Sequence, residues 1–238
     1  MAEGETWPVG PVVDPLPAGM RPDRRTLFGR SVNVEPIEVA RHAFDLYHSF
    51  QDDVEGRIWT YLGYGPFKDY DSFRAWLVER EASADPFFYA IVPKRTGKAA
   101  GMASLMRMAP EHGTIEVGHI WMSNALKQTR EATEAIYLLM RHGLTGLGNR
   151  RLEWKCDALN APSRRAAERF GFTFEGIFRK HYIVKGRNRD TAWFSIVDTE
   201  WPAINAAFQA WLADANFDAE GRQRQRLRAR EARGIDRA

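Results

Sequence analysis

The stretch LNAPSRRAAERFGFTFEG, residues 159–176, decides the reading of this chain. Asn160 and Ser163 stand three apart, Pro162 fits a first helical turn, and small and basic residues follow until Gly171 stops the run before FTFEG, which alternates like a strand. Two accounts of its start fit equally well. Asn160 or Ser163 caps the helix, or the same residues face a ligand at its N-terminus, and a helix start satisfied by its own cap can still present a side-chain amide outward.

Upstream of it, RLEWKCDAL is strand-like, and before that KQTREATEAIYLLMRHGLTGLG places Ala132, Ile136, Leu139, Met140 and Leu144 on one helical face. The preceding runs PFFYAIV, AAGMASLMRM and TIEVGHIWM are strands joined by the hairpin-length loops KRTGK and APEHG. A strand, a helix and a strand with a crossover of this length imply that 115–122 and 151–157 lie parallel in one sheet. Downstream, FTFEGIFRKHYIV, the polar turn KGRNRD and TAWFSIV form a last hairpin, and a helix starts at Trp201. At the other end, RSVNVEPI alternates as a strand, Val39 to Phe50 recur at helical spacing, and a helix near Phe73 to residue 84 begins at Asp71 or Ser72. The fold class is α/β (α+β), with a mixed, mostly antiparallel sheet of about seven strands and helices on both faces.

The 238 residues, 44% hydrophobic and 12% aromatic, suffice for one large domain. Residues 1–29, with five prolines, read as an extended arm, 30–214 as the domain, and 215–238 as an arginine-rich tail that is solvated or frayed. A net charge of +3 from 34 basic and 31 acidic residues is too small to imply nucleic-acid binding, though it permits an anionic ligand. The single cysteine, Cys156, excludes an internal disulfide framework and a multi-thiolate metal site. With neither a signal-peptide pattern nor an apolar stretch long enough to span a bilayer, the expectation is a soluble, cytoplasmic protein with no membrane association and no metal.

The letters IEVGHIWM, KQTREATEAIYLLM, RRLEWKCDALNAPSRRAAERFGFTFEGIFRK and GRNRDTAWFSIVDTEW together resemble the GNAT superfamily of acetyl-CoA-dependent N-acetyltransferases, most closely the ribosomal-protein-alanine N-acetyltransferase branch, over roughly residues 30–200. The resemblance implies a sheet splayed between the two central parallel strands, with the pantetheine arm of coenzyme A in the opening. It also implies acetyl-CoA as donor and a primary amine as acceptor, a peptide N-terminus or a small amine. A homodimer is compatible with it. Lys127, Gln128, Thr129, Arg130, Glu131 and Ala132 would form the diphosphate loop. This chain departs from the family pattern there, since Arg130 stands where a glycine is usual. Thr129 as an ordinary helix cap is the competing account. Asn160 would bond the pantetheine, and Ser163 would lie beside it.

The resemblance further assigns Glu116, on the central strand, as the base that takes a proton from the amine; a salt-bridged strand glutamate is the alternative. Backbone N–H groups near Ile120, Trp121 and Met122 would hold the oxyanion. The tyrosine that protonates the leaving thiolate in many members falls at Ala167 here, so Ser163 takes that role, ahead of Tyr182 or a water. His119 reads as packed. Trp59, Tyr61, Tyr64 and Phe67 either wall the acceptor pocket or form core. Cys156 reads as a sheet residue, and the competing class is a coenzyme A-binding protein without catalysis that associates with ribosome or RNA through its basic tail.

Overall fold

The computed structural model describes residues 7–232; the ends of the arm (1–6) and of the tail (233–238) lie outside the described residues. An eight-stranded sheet runs in the order β1 (Leu27–Phe28), β2 (Val32–Pro36), β3 (Phe87–Pro93), β4 (Gly101–Ala109), β5 (Thr114–Met122), β6 (Arg151–Asp157), β8 (Arg187–Val197), β7 (Thr173–Val184). Every neighbouring pair is antiparallel except β5 and β6. The strand beyond the expected seven is β1, two residues of the N-terminal arm.

Alternation along the strands separates two cores. On one face Val34, Tyr89, Leu105, Ile115, Leu152, Trp154 and Phe194 pack under α3 (Arg130–Arg141), α4 (Ala161–Arg169) and α5 (Trp201–Leu212). On the other, Phe88, Ala90, Met102 and Trp121 meet α1 (Val39–Ser49) and α2 (Tyr70–Ala82), with Phe50, Trp59 and Phe73 in edge-to-face aromatic contacts. The strand residues packed against α1 and α2 come from β3, β4 and β5, with Ile37 just beyond β2. On β6 to β8 the same face carries Glu153, Lys155, Glu175 and Ser195 instead, joined by polar contacts.

Caps explain several boundaries. Asp69, rather than Asp71 or Ser72, is the N-cap of α2: its carboxylate accepts from Ser72 N–H while Ser72 Oγ accepts from Asp69 N–H. The helix of α3 ends at Arg141 and continues as a single π turn over His142–Gly146. The last hairpin turns on Lys185 and Gly186 alone, so Arg187 to Asp190 belong to β8 rather than to a six-residue turn.

The described arm is exposed from Trp7 to Leu16, and the parts of both ends nearer the domain pack against it. Gly19 is buried, Met20 N–H donates to Leu147 O at 2.8 Å, and buried Glu134 of α3 accepts from Arg30 and Ser31 N–H at 2.5 and 2.7 Å, fixing the start of β2. Beyond residue 214, where the domain was expected to end, the chain folds back. Leu227 and Ala229 join the first core, and α6 (Ala229–Ala232) follows. The basic run is largely paired, Arg222 with Asp218 and Glu220, Arg226 with Glu231, and Arg230 with Glu168.

Candidate active site

The parallel pairing of β5 with β6 lasts three residues, Thr114 with Arg151, Ile115 with Leu152 and Glu116 with Glu153. Past Glu116, β5 runs on to Met122 paired only with β4, and β6 runs on to Asp157 paired only with β8. Two facing strand edges therefore carry backbone donors and acceptors without a strand between them, which suits an amide-bearing chain inserted as a short strand. One extra residue in β5 sharpens the divergence: Gly118 pairs with Ser104 but Trp121 with Met102, and His119 between them has φ +49°. A Cβ at Gly118 would sit 2.5 Å from Met106 Sδ, so any side chain there would displace the Met106 thioether.

Ile120, Trp121 and Met122, the expected oxyanion segment, thus lie on the free stretch of β5, with Trp121 buried on the α1 and α2 side and Ile120 and Met122 against the first core. The start of α3 has the donors a diphosphate needs. Thr129 caps the helix by accepting from Ala132 N–H at 3.1 Å, while the N–H groups of Arg130 and Glu131, first in the helix, and of Gln128 have no acceptor among the described residues. Charge is arranged differently from the sequence reading. The Arg130 guanidinium donates to Leu212 O and Asp214 and stacks on Phe217 at 4.3 Å, so it points to the C-terminal segment rather than to the helix mouth. Lys127 remains at the loop, held by Asn124 at 3.1 Å, and Arg95 neutralises Glu131 at 2.9 Å.

At α4 the capping account holds. Asn160 Oδ1 accepts from Ser163 N–H at 3.2 Å, which leaves its NH2 group without a partner among the described residues. Ser163 Oγ accepts from Trp154 Nε1–H at 3.0 Å, and its own hydroxyl lies within hydrogen-bonding reach of the Cys156 thiol. Ala167 is fully buried and Gly171, at φ +94°, ends the helix against Ala229 O. Cys156 is buried in the sheet beside Ser163, its thiol pushed up by burial.

Glu116 lies on the opposite face from Ser163. Only 4% exposed, its Oε2 has Lys155 Nζ at 3.0 Å and Arg107 Nε at 3.3 Å, yet accepts no aligned hydrogen bond from any described residue. Burial raises its pKa above the ordinary value, against the pull of Lys155 and then Arg107. Lys155 also holds Glu153 at 2.6 Å and stacks on Trp193 at 3.8 Å; Arg151 completes the network to Glu153 and Glu175. Burial works against ionisation of Glu153, but the bonds from Lys155 and Arg151 outweigh it and lower its pKa. The sequence did not disclose Arg107 and Lys155 as neighbours of Glu116. Lys155 follows only from the β5–β6 register, and Arg107, at φ +49°, is aimed by a bulge in β4.

Tyr64 stacks on His119 and Trp59, Tyr64 and Phe67 pack together, so these three are core. Tyr61 instead crosses the opening, donating to Leu159 O at 3.2 Å, and Lys185 reaches Trp59 O at 2.8 Å. The aromatic loop thereby bridges the strands beyond their point of separation. His119 is packed as expected, and burial lowers its pKa to about 4, so it is neutral at pH 7. Tyr182 lies on the Glu116 side, between the guanidinium groups of Arg107 and Arg189, and not near Ser163. Among the described residues no group of three or more His, Cys, Asp or Glu could hold a metal ion, and no helix is long and apolar enough to cross a membrane.

Residues 32–173 match the family model described as an acetyltransferase (GNAT) domain. The chain belongs to the GNAT acetyltransferase family. The structure of a GCN5-related N-acetyltransferase from Brucella melitensis is similar at 44% identity and a TM-score of 0.88, covering 92% of this chain and 98% of that one. A probable GNAT acetyltransferase from Chromobacterium violaceum is 39% identical, with a TM-score of 0.77 over 84% of this chain and all of that one (100%). An uncharacterized N-acetyltransferase, p20, from Bacillus licheniformis is 28% identical over 181 residues, 74% of this chain and 98% of its own length. The protein is accordingly an acetyltransferase, and membership of the GNAT family implies acetyl-CoA as its donor.

Proposed function

We propose that this GNAT enzyme transfers acetyl from acetyl-CoA to the α-amine of a peptide or protein by direct attack in a ternary complex. The observation that carries the reading is the placement of Glu116 and Ser163 on opposite faces of the sheet at the point where β5 and β6 part. A thioester threaded through the opening would have a carboxylate on one side and a hydroxyl on the other. Glu116 takes the proton from the ammonium, directly or through water, on its buried carboxylate beside Lys155 and Arg107. Backbone N–H groups of Ile120 to Met122 face the developing oxyanion. Ser163 donates to the departing thiolate, which, with a reference pKa of about 8.5, needs only modest help.

The loop at Lys127 to Ala132 supplies amides and one cation for the diphosphate, and the NH2 group of Asn160 bonds the pantetheine. An α-amine, with a reference pKa of about 7.7–8.0 against about 10.4 for lysine, is already partly neutral at pH 7, which fits a base restrained by two cations. Likeness of the sequence to the ribosomal-protein-alanine N-acetyltransferase branch supports a peptide acceptor. The test is thiol release from acetyl-CoA with a panel of peptide N-termini alongside polyamines, amino sugars and amino acids. Peptides should turn over fastest; faster turnover of any small amine would replace this acceptor assignment.

A further inference from the structure

Residues 178–189, FRKHYIVKGRNR, hold Arg179, Lys180, Lys185, Arg187 and Arg189 and no acidic residue. None of these five cations takes part in an ion pair among the described residues. The nearest acid, Asp190, is occupied by Lys180 N–H and Asn188 Nδ2 at 2.7 and 2.9 Å. Along β8, Arg187 and Arg189 alternate onto the face that carries Trp193 and Ser195, the face of Lys155 and Glu116. Arg189 and Arg107 both lie against the Tyr182 ring, at 5.9 and 5.6 Å, and Arg107 is 3.3 Å from Glu116.

Donors on this face are left over. Arg189 Nε and Trp193 Nε1 are buried without a hydrogen-bond partner among the described residues, and both can only donate. Unpaired donors set among unpaired cations call for acceptor oxygens bearing negative charge. Half-exposed Phe178 and partly buried Tyr182 and Trp193 add apolar contact between the charges. Arg189 and Arg187 lead along β8 toward the turn, where Lys185 is engaged by Trp59 O at 2.8 Å, so the free cations lie in a row rather than converging on one point, which matches an extended chain better than a single small anion.

We propose that this face of the β7–β8 hairpin is an acceptor subsite for acidic residues, so that the enzyme selects peptides whose first positions after the α-amine are aspartate or glutamate. The inference rests on the reading of Glu116 as the place where the amine reacts. Peptides of equal length beginning with alanine and continuing with glutamate, glutamine or lysine test it, with kcat/KM measured by thiol release. The acidic peptide should exceed the neutral one on the order of tenfold at low salt, and the ratio should shrink as ionic strength rises. Arg189→Gln, and separately Arg187→Gln on the exposed part of the strand, should each reduce that ratio. Equal rates, a preference for the basic peptide, or a ratio unchanged in both variants would overturn the subsite.

Fluorescence anisotropy of the same peptides, labelled at the C-terminus, in the presence of coenzyme A separates the two levels. If no peptide is acetylated but the acidic one binds best and Arg187→Gln weakens it, the peptide-acetylation reading fails and the subsite stands. Indistinguishable binding of all three peptides removes the subsite whatever the turnover.

Discussion

Lys155 holds Glu116 and Glu153 together, 3.0 and 2.6 Å from its ammonium, at the last pair of residues where β5 and β6 still face each other. A cluster of paired charges thus sits at the point where the sheet opens. A carboxylate is kept there in a buried setting that raises its pKa, with cations near enough to limit the rise.

That relationship makes Glu116→Gln the direct test of the base. The variant keeps the shape of the side chain and loses proton acceptance, so kcat should fall by about 10²- to 10⁴-fold with acetyl-CoA affinity retained. In the wild type, activity should decline as pH falls through the Glu116 pKa, and because burial raises that pKa, the acid limb should lie above the usual carboxylate position. In the glutamine variant this limb should disappear. A pH series of kcat for both proteins checks it; an acid limb unchanged by the substitution would assign the titration elsewhere.

Asn160 combines the two roles that its sequence left undivided, and two substitutions separate them. Asn160→Ala removes the cap on Ser163 N–H and should cost about 1 kcal/mol. Asn160→Asp retains a capping oxygen and loses the NH2 group, so stability should stay close to wild type while coenzyme A affinity drops. Calorimetric titration beside a denaturation curve reads both. Unchanged affinity in the aspartate variant would leave Asn160 as a cap alone.

Local rules reached far into this fold because most of its elements bury one regular face. The β5–α3–β6 crossover followed from strand and helix periods, and Asn160, Pro162 and Gly171 marked α4 almost to the residue. What escaped had weak local patterning. Leu27 and Phe28 form a strand too short to alternate, Arg187 to Asp190 are strand residues with a polar sequence, and Leu227 and Ala229 are buried apolar positions inside an arginine run. At the site, the family resemblance singled out Glu116, and alternation gave only the face of its strand on which it stands. Its cations were not, since Lys155 comes from the next strand and Arg107 from a bulge, and which cation meets which carboxylate is a property of register.

His119 should make folding stability depend on pH. Its folded pKa, about 4, lies below the ordinary value of 6.5, so the neutral ring's packing against Tyr64 and Phe88 contributes fully above pH 6.5 and is lost as pH falls toward 4. The shift corresponds to an upper bound of roughly 3 kcal/mol. His119→Asn, which tolerates the left-handed backbone, should be less stable at pH 7 but show a shallower loss between pH 6.5 and 4. Urea denaturation at several pH values compares the slopes, and identical slopes would exclude His119 as the source.

The C-terminal segment should act as part of the core rather than as an accessory. Leu227 is 7% exposed and, with fully buried Ala229, belongs to the cluster that includes α4 and α5, while Trp211 Nε1 donates to Gln223 at 2.8 Å. Truncating Leu227 to alanine should therefore cost about 2 kcal/mol. Because the same segment carries Asp214 and Phe217, which hold the Arg130 guanidinium, loosening it should also free a cation beside the start of α3. Deleting residues 217–238 should lower the melting temperature and alter coenzyme A affinity together, measured by thermal unfolding with and without the ligand. Loss of stability with affinity unaltered would confine the segment to packing.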